Sequence, residues 1–244
     1  MNRNVFKFAD VAVELRPVFP YVLNMCRDYV TDEAPQLLIE TTPDDIQWER
    51  QKDKEENPDS TFEFSDAYLE TLAVHRKLAK ALLDHDVLLM HGSCLAIDGK
   101  AVLFTARSGT GKSTHTRLWR QLFGDRVVMV NDDKPFIRIG AEGEPALIYG
   151  TPWDGKHHLS RNMSCPLHTI VRLMRGTENE ILPLETDDMI ATLFQQIFCP
   201  PDSASKIKFL GLISRLCQKV QFRELHCNMD SAAAQVAYDG IFHS

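Results

Sequence analysis

Three groups of residues have the types and spacing to do chemistry. Ala106-Arg107-Ser108-Gly109-Thr110-Gly111-Lys112-Ser113 has the pattern of a Walker A loop, with Ala where the first Gly normally stands. In such a loop the glycines let backbone N–H groups turn toward phosphate oxygens. Lys112 reaches the β- and γ-phosphates, and the Ser113 hydroxyl can ligand Mg²⁺. Ser108, Gly109, Thr110, Gly111, Lys112, Ser113 and Thr114 are therefore the expected nucleotide contacts. A lysine at the mouth of a helix is disfavoured by the helix dipole unless an anion is present, which a merely structural turn does not explain.

The second group is Asp132-Asp133, at the end of an apolar run, Val127 to Val130. Phosphoryl transfer needs a phosphate cradle, Mg²⁺, extra positive charge and an oriented nucleophile. Successive strand side chains point to opposite faces, so the two acids are expected to divide the work. One would hold the metal and the other would lie nearer the acceptor hydroxyl. An acidic turn after a strand is the plainer alternative, since turns favour Asp. His91 opens a short Gly-containing connection and could sit beside the pair, tuning its protonation. The third group is the loop Gly150 to Asn162, with Trp153, Lys156, His157, His158 and Arg161. Cations collected here in an acidic chain suit a loop that closes over phosphates or presents an acceptor. The plainer reading is a Pro/Gly loop anchored by a buried Trp. Lys134 adds to the local charge, and Lys134, Trp153, Lys156 and Arg161 are the candidate substrate residues. Arg117 and Arg120 read as exposed helix residues without a role.

The elements that must position these groups follow from patterning. Ala101 to Thr105 predicts a strand before the loop and Ser113 to Phe123 a helix after it, so the helix N-terminus faces the anion. Asp98-Gly99 is a tight-turn dipeptide that makes the loop strand one arm of a hairpin with Cys94 to Ile97. A purely parallel sheet would need a crossover at that point, so the sheet is expected to be mixed. Further strands are predicted at 87–90, 136–139, 146–149, 168–174 and 221–225, with helices at 187–198, 203–220 and 232–242. Upstream, Val5 to Leu15 suggests a strand or hairpin, 19–30 a short helix, and 36–40 a strand. Thr42-Pro43-Asp44-Asp45 starts a helix, since it supplies a cap, a proline at the first position and acids in the first turn. The charged stretch from Glu49 fades toward a linker near Ser60. Apolar spacing from 68 to 83 predicts another helix. These features divide the chain into a small N-terminal α+β segment, 1–62, and a nucleotide-binding domain, 63–244.

Bulk properties narrow the classes. A net charge of −7 argues against a general nucleic-acid binder. No long apolar run follows Met1 to Lys7, so no secretory signal is expected, and no stretch is long enough to span a bilayer. The six cysteines show no CxxC spacing and are expected to be reduced core residues rather than zinc ligands. A cytoplasmic protein with no membrane partner is the expectation.

Taken together, His91-Gly92-Ser93, the 106–113 loop and Asn131-Asp132-Asp133 resemble the HPr serine kinase family and, more distantly, the PEP carboxykinases. The resemblance covers Leu88 to Ile139 well and the rest of the C-terminal part loosely. It implies an α/β fold with a PEP-carboxykinase-like, HPr-kinase-C-terminal-like mixed-sheet P-loop core. It also implies ATP- and Mg²⁺-dependent phosphorylation of a hydroxyl, with a homo-oligomer as an open possibility. By the same resemblance Asp132 is the catalytic base, helped by His91 and with Lys112 in the catalytic set, while Asp133 and Ser113 hold the metal. The family's glycine-rich signature downstream of the catalytic strand is not recognisable, and the N-terminal segment differs from that of HPr kinases. The phosphotransfer core is therefore carried over and the substrate is not: a small hydroxylated metabolite and a protein serine both remain open. Two other readings compete, an ATP-binding regulatory module without transfer and a nucleotide-hydrolysing switch.

Overall fold

A computed structural model describes residues 4–243. The start Met1 to Arg3, part of the stretch searched for a signal, lies outside them. The chain falls into two compact units, residues 1–85 and 86–244.

In the first unit, β1 (Val5–Phe8) and β2 (Val11–Arg16) form a hairpin. Its two-residue turn, Ala9-Asp10, has both φ angles positive, the geometry that matches strand twist. After α1 (Tyr21–Met25), β3 (Leu37–Glu40) joins β2 in parallel. Helix α2 (Pro43–Glu56) opens with the predicted Thr cap and Pro, and Thr42 and Asp45 cap each other in a box. Helix α3 (Asp66–Leu82) packs on α1, α2 and β3. Its fully buried Glu70 accepts from Val18 N (2.6 Å), Phe19 N (2.8 Å) and Thr41 Oγ1 (2.5 Å). Hydrogen bonds to an ionised carboxylate are strong, so this one side chain ties two loops to the helix. The compact units meet at 85/86, whereas the sequence boundary lay at 62/63. The charged stretch that suggested a linker is the outer half of α2 and a short loop, and α3 belongs with the first unit.

In the second unit, residues 87–243 build a nine-stranded mixed sheet. Strands β4 (Val87–Leu89), β5 (Ser93–Ile97) and β6 (Lys100–Thr105) are followed by α4 (Lys112–Phe123) and β7 (Val127–Asn131). Next come β8 (Phe136–Ile139), β9 (Ala146–Tyr149), β10 (Ser164–Arg175) and β11 (Glu180–Pro183). Helices α5 (Thr186–Gln196) and α6 (Ser203–Lys219), strand β12 (Gln221–Cys227) and α7 (Ala232–Phe242) complete it. The predicted hairpin is present: β5 and β6 pair antiparallel around Asp98-Gly99, both at positive φ. Strand β6 then lies parallel to β10, and β10 parallel to β12, so the central strands run together while β5, β7, β8 and β9 pair antiparallel. Strand β10 begins four residues earlier than its apolar core suggested, and its first residues pair with β9. The edge strand β11 is too short and exposed to show an alternating pattern.

The core beside the loop strand joins Phe104 and Val102 to Leu118 and Trp119 of α4 and to Ala233, Ala234, Ala237 and Ile241 of α7. Alanines on α7 let the two helices approach closely. Burying a side chain such as Phe104 stabilises by roughly 2–3 kcal/mol. This packing fixes the ends of β6 and β7 and the start of α4. All six cysteines are unpaired. Among the described residues, no helix is long and apolar enough to cross a membrane.

Candidate active site

Strand β6 ends at Thr105, whose Oγ1 donates to His91 O (2.8 Å) and so holds the β4–β5 connection beside the coming loop. Residues 106–111 then turn into α4. Gly109 (φ 77°) and Gly111 (φ 123°) occupy left-handed backbone conformations that side chains disfavour. Lys112 folds its Nζ back onto Ala106 O (3.0 Å). Burial lowers the Lys112 pKa, and the nearby carboxylates of Asp133 and Asp132 offset only part of that. On the loop's other side, Arg175 donates from Nη2 to Gly109 O (2.6 Å).

The acidic pair is set by Asn131, which is fully buried at the end of β7. Its Oδ1 accepts from Asp133 N (2.8 Å) and Lys134 N (2.6 Å), shaping the turn. Its Nδ2 donates to Thr151 O (3.1 Å) and Thr151 Oγ1 (3.0 Å), anchoring the following loop. One amide thus fixes both acids and the loop that covers them. Asp132 is buried, and its Oδ1 accepts from Ser93 Oγ (2.6 Å). Ser93 Oγ lies 3.2 Å from Thr116 Oγ1, one turn of α4 beyond Ser113. Asp133 has a different partner, its Oδ1 lying 3.3 Å from His91 Nε2. The resemblance placed His91 beside Asp132, and the structure places it against Asp133. The reason is local: Gly92 N bonds to Asp133 O (2.9 Å), so the β4–β5 connection runs alongside residue 133. His91 Nδ1 meets Gln196 Oε1 (3.1 Å), so both ring nitrogens lie against side-chain oxygens, one from the acidic turn and one from α5. Burial alone would raise the Asp133 pKa, but the His91 hydrogen bond, Lys134 and Lys112 outweigh it and the net shift is downward.

The loop from Gly150 closes on this turn. A Cβ on Gly155 would lie 3.1 Å from Asp132 Oδ2 and 3.3 Å from its carbonyl oxygen, so glycine permits the close approach. Trp153 is buried and serves as an anchor of the loop, as the plainer reading expected, and it does not line the cleft. Arg161 is exposed, and its backbone N–H bonds to Val130 O (3.2 Å). Lys134 lies 3.9 Å from Asp133 Oδ2. Neither side chain lines the cleft, whereas Lys156 does.

The outcome is a cleft of about 1110 Å³ that brings together His91, Lys112, Ser113, Asp132, Asp133 and Lys156. Ser108, Gly109, Gly111 and Thr114 also face it, whereas Thr110 turns to two neighbouring cavities. Four contributors escaped the sequence reading. Ser93 and Asn131 stood inside the resembling run but carried no role, because a buried polar residue on a strand announces no partner. Gln196 comes from α5, far along the chain. Arg120 read as an exposed helix residue, yet it is half-buried on the cleft wall beside Arg117. The spacing of 113, 117 and 120 on one helical face was the available signal.

No known family model and no curated protein matches the chain. Among solved structures it is similar to the Hpr(Ser) kinase/phosphatase from Coxiella burnetii. The identity is 13%, the likeness covers 62% of this chain and 95% of that one, and the TM-score is 0.33. At that level of likeness the cleft's own residues must carry the functional reading.

Proposed function

We propose that the protein is an ATP-dependent phosphotransferase that moves the γ-phosphoryl group to a hydroxyl of a small metabolite or a protein serine. One observation carries the reading: a lysine-bearing glycine loop at a helix N-terminus shares a cleft with two carboxylates and a histidine. The donor set suits Mg²⁺, which prefers oxygen ligands and is usually held by one or two carboxylates plus substrate phosphates. Asp132 and Ser113 would hold it, because the Asp132–Ser93–Thr116 chain ties that carboxylate to the α4 face that carries Ser113. Bound there, the metal would neutralise charge on the donor's phosphates.

The remaining work belongs to the chain. N–H groups of residues 109–113 and the α4 N-terminus face the phosphates. Lys112 moves its ammonium from Ala106 O to the phosphate oxygens. Asp133, held by His91, receives the acceptor's hydroxyl proton as the new O–P bond forms and the bond from Pγ to the leaving diphosphate breaks. This reverses the division of labour that the resemblance implied. A carboxylate with a lowered pKa is a weak base, which suits a loose transition state in which positioning and charge contribute most.

The test uses γ-labelled ATP, Mg²⁺, pooled hydroxylated metabolites and cell lysate, with Lys112→Ala and Asp133→Asn proteins alongside. Label entering a new molecule, and absent with both variants, supports the proposal. Nucleotide binding without transfer would support the regulatory-module reading instead, and hydrolysis without an acceptor would support the switch.

A further inference from the structure

Three cations on the cleft wall are used by neither the loop nor the acids. Arg117 and Arg120 stand on α4, three residues apart and therefore neighbours on one helix face. Lys156 comes from the covering loop and lines the same cleft. The Arg120 Nε is buried without a hydrogen-bond partner. Among the described residues, neither arginine nor Lys156 makes an ion pair or side-chain hydrogen bond. Arg117 and Lys156 are exposed, but the buried Arg120 Nε lacks the partner that buried donors normally have, and an anion in the cleft would supply it. The acids of the cleft are committed elsewhere: Asp132 to Ser93, Asp133 to His91, and Asp154 to His158 and Ser160.

Position separates this anion from the donor's phosphates. Arg117 and Arg120 follow Ser113 by four and seven residues, about 6 and 10 Å along the helix axis. An anion gripped there lies farther along α4 than the loop, in the same cleft that Lys156 lines. Paired guanidiniums favour planar or tetrahedral oxyanions through forked hydrogen bonds.

We propose that the phosphoryl acceptor is itself an anion, a hydroxyl compound whose carboxylate or phosphate monoester is held by Arg117, Arg120 and Lys156. This rests on the phosphotransferase reading, and the site can be tested separately from it.

Calorimetric titration of the full chain with glycerol, glycerate and glycerol 3-phosphate compares a neutral polyol with its two oxyanion counterparts. At least one anion should bind about tenfold or more tighter than glycerol, the better one naming the group. Arg120→Gln should remove about tenfold of that affinity, and Arg120→Lys, which keeps the charge but loses the fork, should fall between. The anion preference should survive Lys112→Ala, because it does not depend on the loop. A non-hydrolysable ATP analogue, titrated into the same proteins, should bind Arg120→Gln as it binds the wild type, which also shows that the variant is folded. Anions that bind no better than glycerol would overturn the proposal, as would a preference lost in Lys112→Ala or untouched in Arg120→Gln. It is equally overturned if Arg120→Gln weakens the nucleotide analogue rather than the anions. Failure of the analogue to bind, with the anion preference intact and dependent on Arg120, would sink the donor reading and leave the anion site standing.

Discussion

Two stretches bound the cleft, residues 106–111 and residues 131–155. The first has little holding it: Thr110 N to Arg107 O, the Lys112 ammonium on Ala106 O, and the Arg175 guanidinium on Gly109 O. The second is built on a fully buried asparagine that serves two backbone N–H groups on one side and Thr151 on the other. Thr151 Oγ1 in turn donates to Lys134 O (2.8 Å). The carboxylates are thus set before any ligand arrives, while the loop keeps N–H groups and an ammonium to spend on one. Preorganised carboxylates on one side and adaptable donors on the other suit the proposed phosphoryl transfer, in which a nucleophile must be aimed and phosphates bring their own negative charge.

The largest effect should come from the loop's ammonium. Lys112→Met is expected to cut phosphoryl transfer by about 10³-fold or more, the scale of losing a charge aimed at the transferring group. The folded state should become more stable, with Tm higher by about 2–4 °C per kcal/mol gained. The sign follows from the lowered Lys112 pKa. The unfolded chain holds the proton more tightly, so wild-type stability rises with pH through the folded-state value, and the variant's advantage shrinks at high pH. Thermal melts across pH 7 to about 10.5 read this directly. A variant that loses stability would mean the lysine is structural, and the contrast between the two stretches would fail.

Asn131→Ala should be next, and its damage should fall on folding. It leaves the N–H groups of Asp133 and Lys134 and the Thr151 contacts without their partner, an expected loss of about 2–4 kcal/mol in denaturant unfolding. Stability unchanged within about 0.5 kcal/mol would show that the turn is not set by the amide. Gly155→Ala is milder. The new Cβ meets Asp132 at 3.1 Å and must push the loop or the carboxylate by a few tenths of an ångström. Stability should fall by less than about 1 kcal/mol while kcat falls about tenfold, because catalytic geometry tolerates displacement less well than packing does. Equal losses in stability and turnover would show the loop to be a cover alone.

The difference between the stretches also explains what could be read from residues alone. The hairpin, the loop and the two helices of its core were legible because each rests on local chemistry: an Asp-Gly turn, glycines at positive φ, apolar spacing at helical period. The division between units was not, because Glu70 looks like any surface acid until Val18, Phe19 and Thr41 fold onto it. The candidate acids were legible as a pair, but their side-chain partners were not. Strand alternation says that Asp132 and Asp133 diverge. Which one meets His91 depends on the Gly92–Asp133 backbone bond, a contact between segments about forty residues apart. Arg120 was read as exposed for a related reason: its burial depends on neighbours from other segments, which one helix does not reveal.

The smallest effect should be that of Arg175→Ala. Arg175 reaches from the end of β10 to the carbonyl oxygens of Gly109, at 2.6 Å, and Thr110, at 3.5 Å. Those oxygens point away from the N–H groups that would face phosphates, so the guanidinium restrains the loop without touching the reacting atoms. It is exposed, and one such hydrogen bond contributes about 0.5–1.5 kcal/mol. Removing it should weaken nucleotide binding by about two- to tenfold through greater loop freedom, with kcat at saturating nucleotide nearly unchanged. Binding of the ATP analogue, measured beside saturated turnover, separates the two quantities. If kcat instead drops as far as it does in Gly155→Ala, the loop is as preorganised as the turn opposite it, and the two sides of the cleft are built on the same plan.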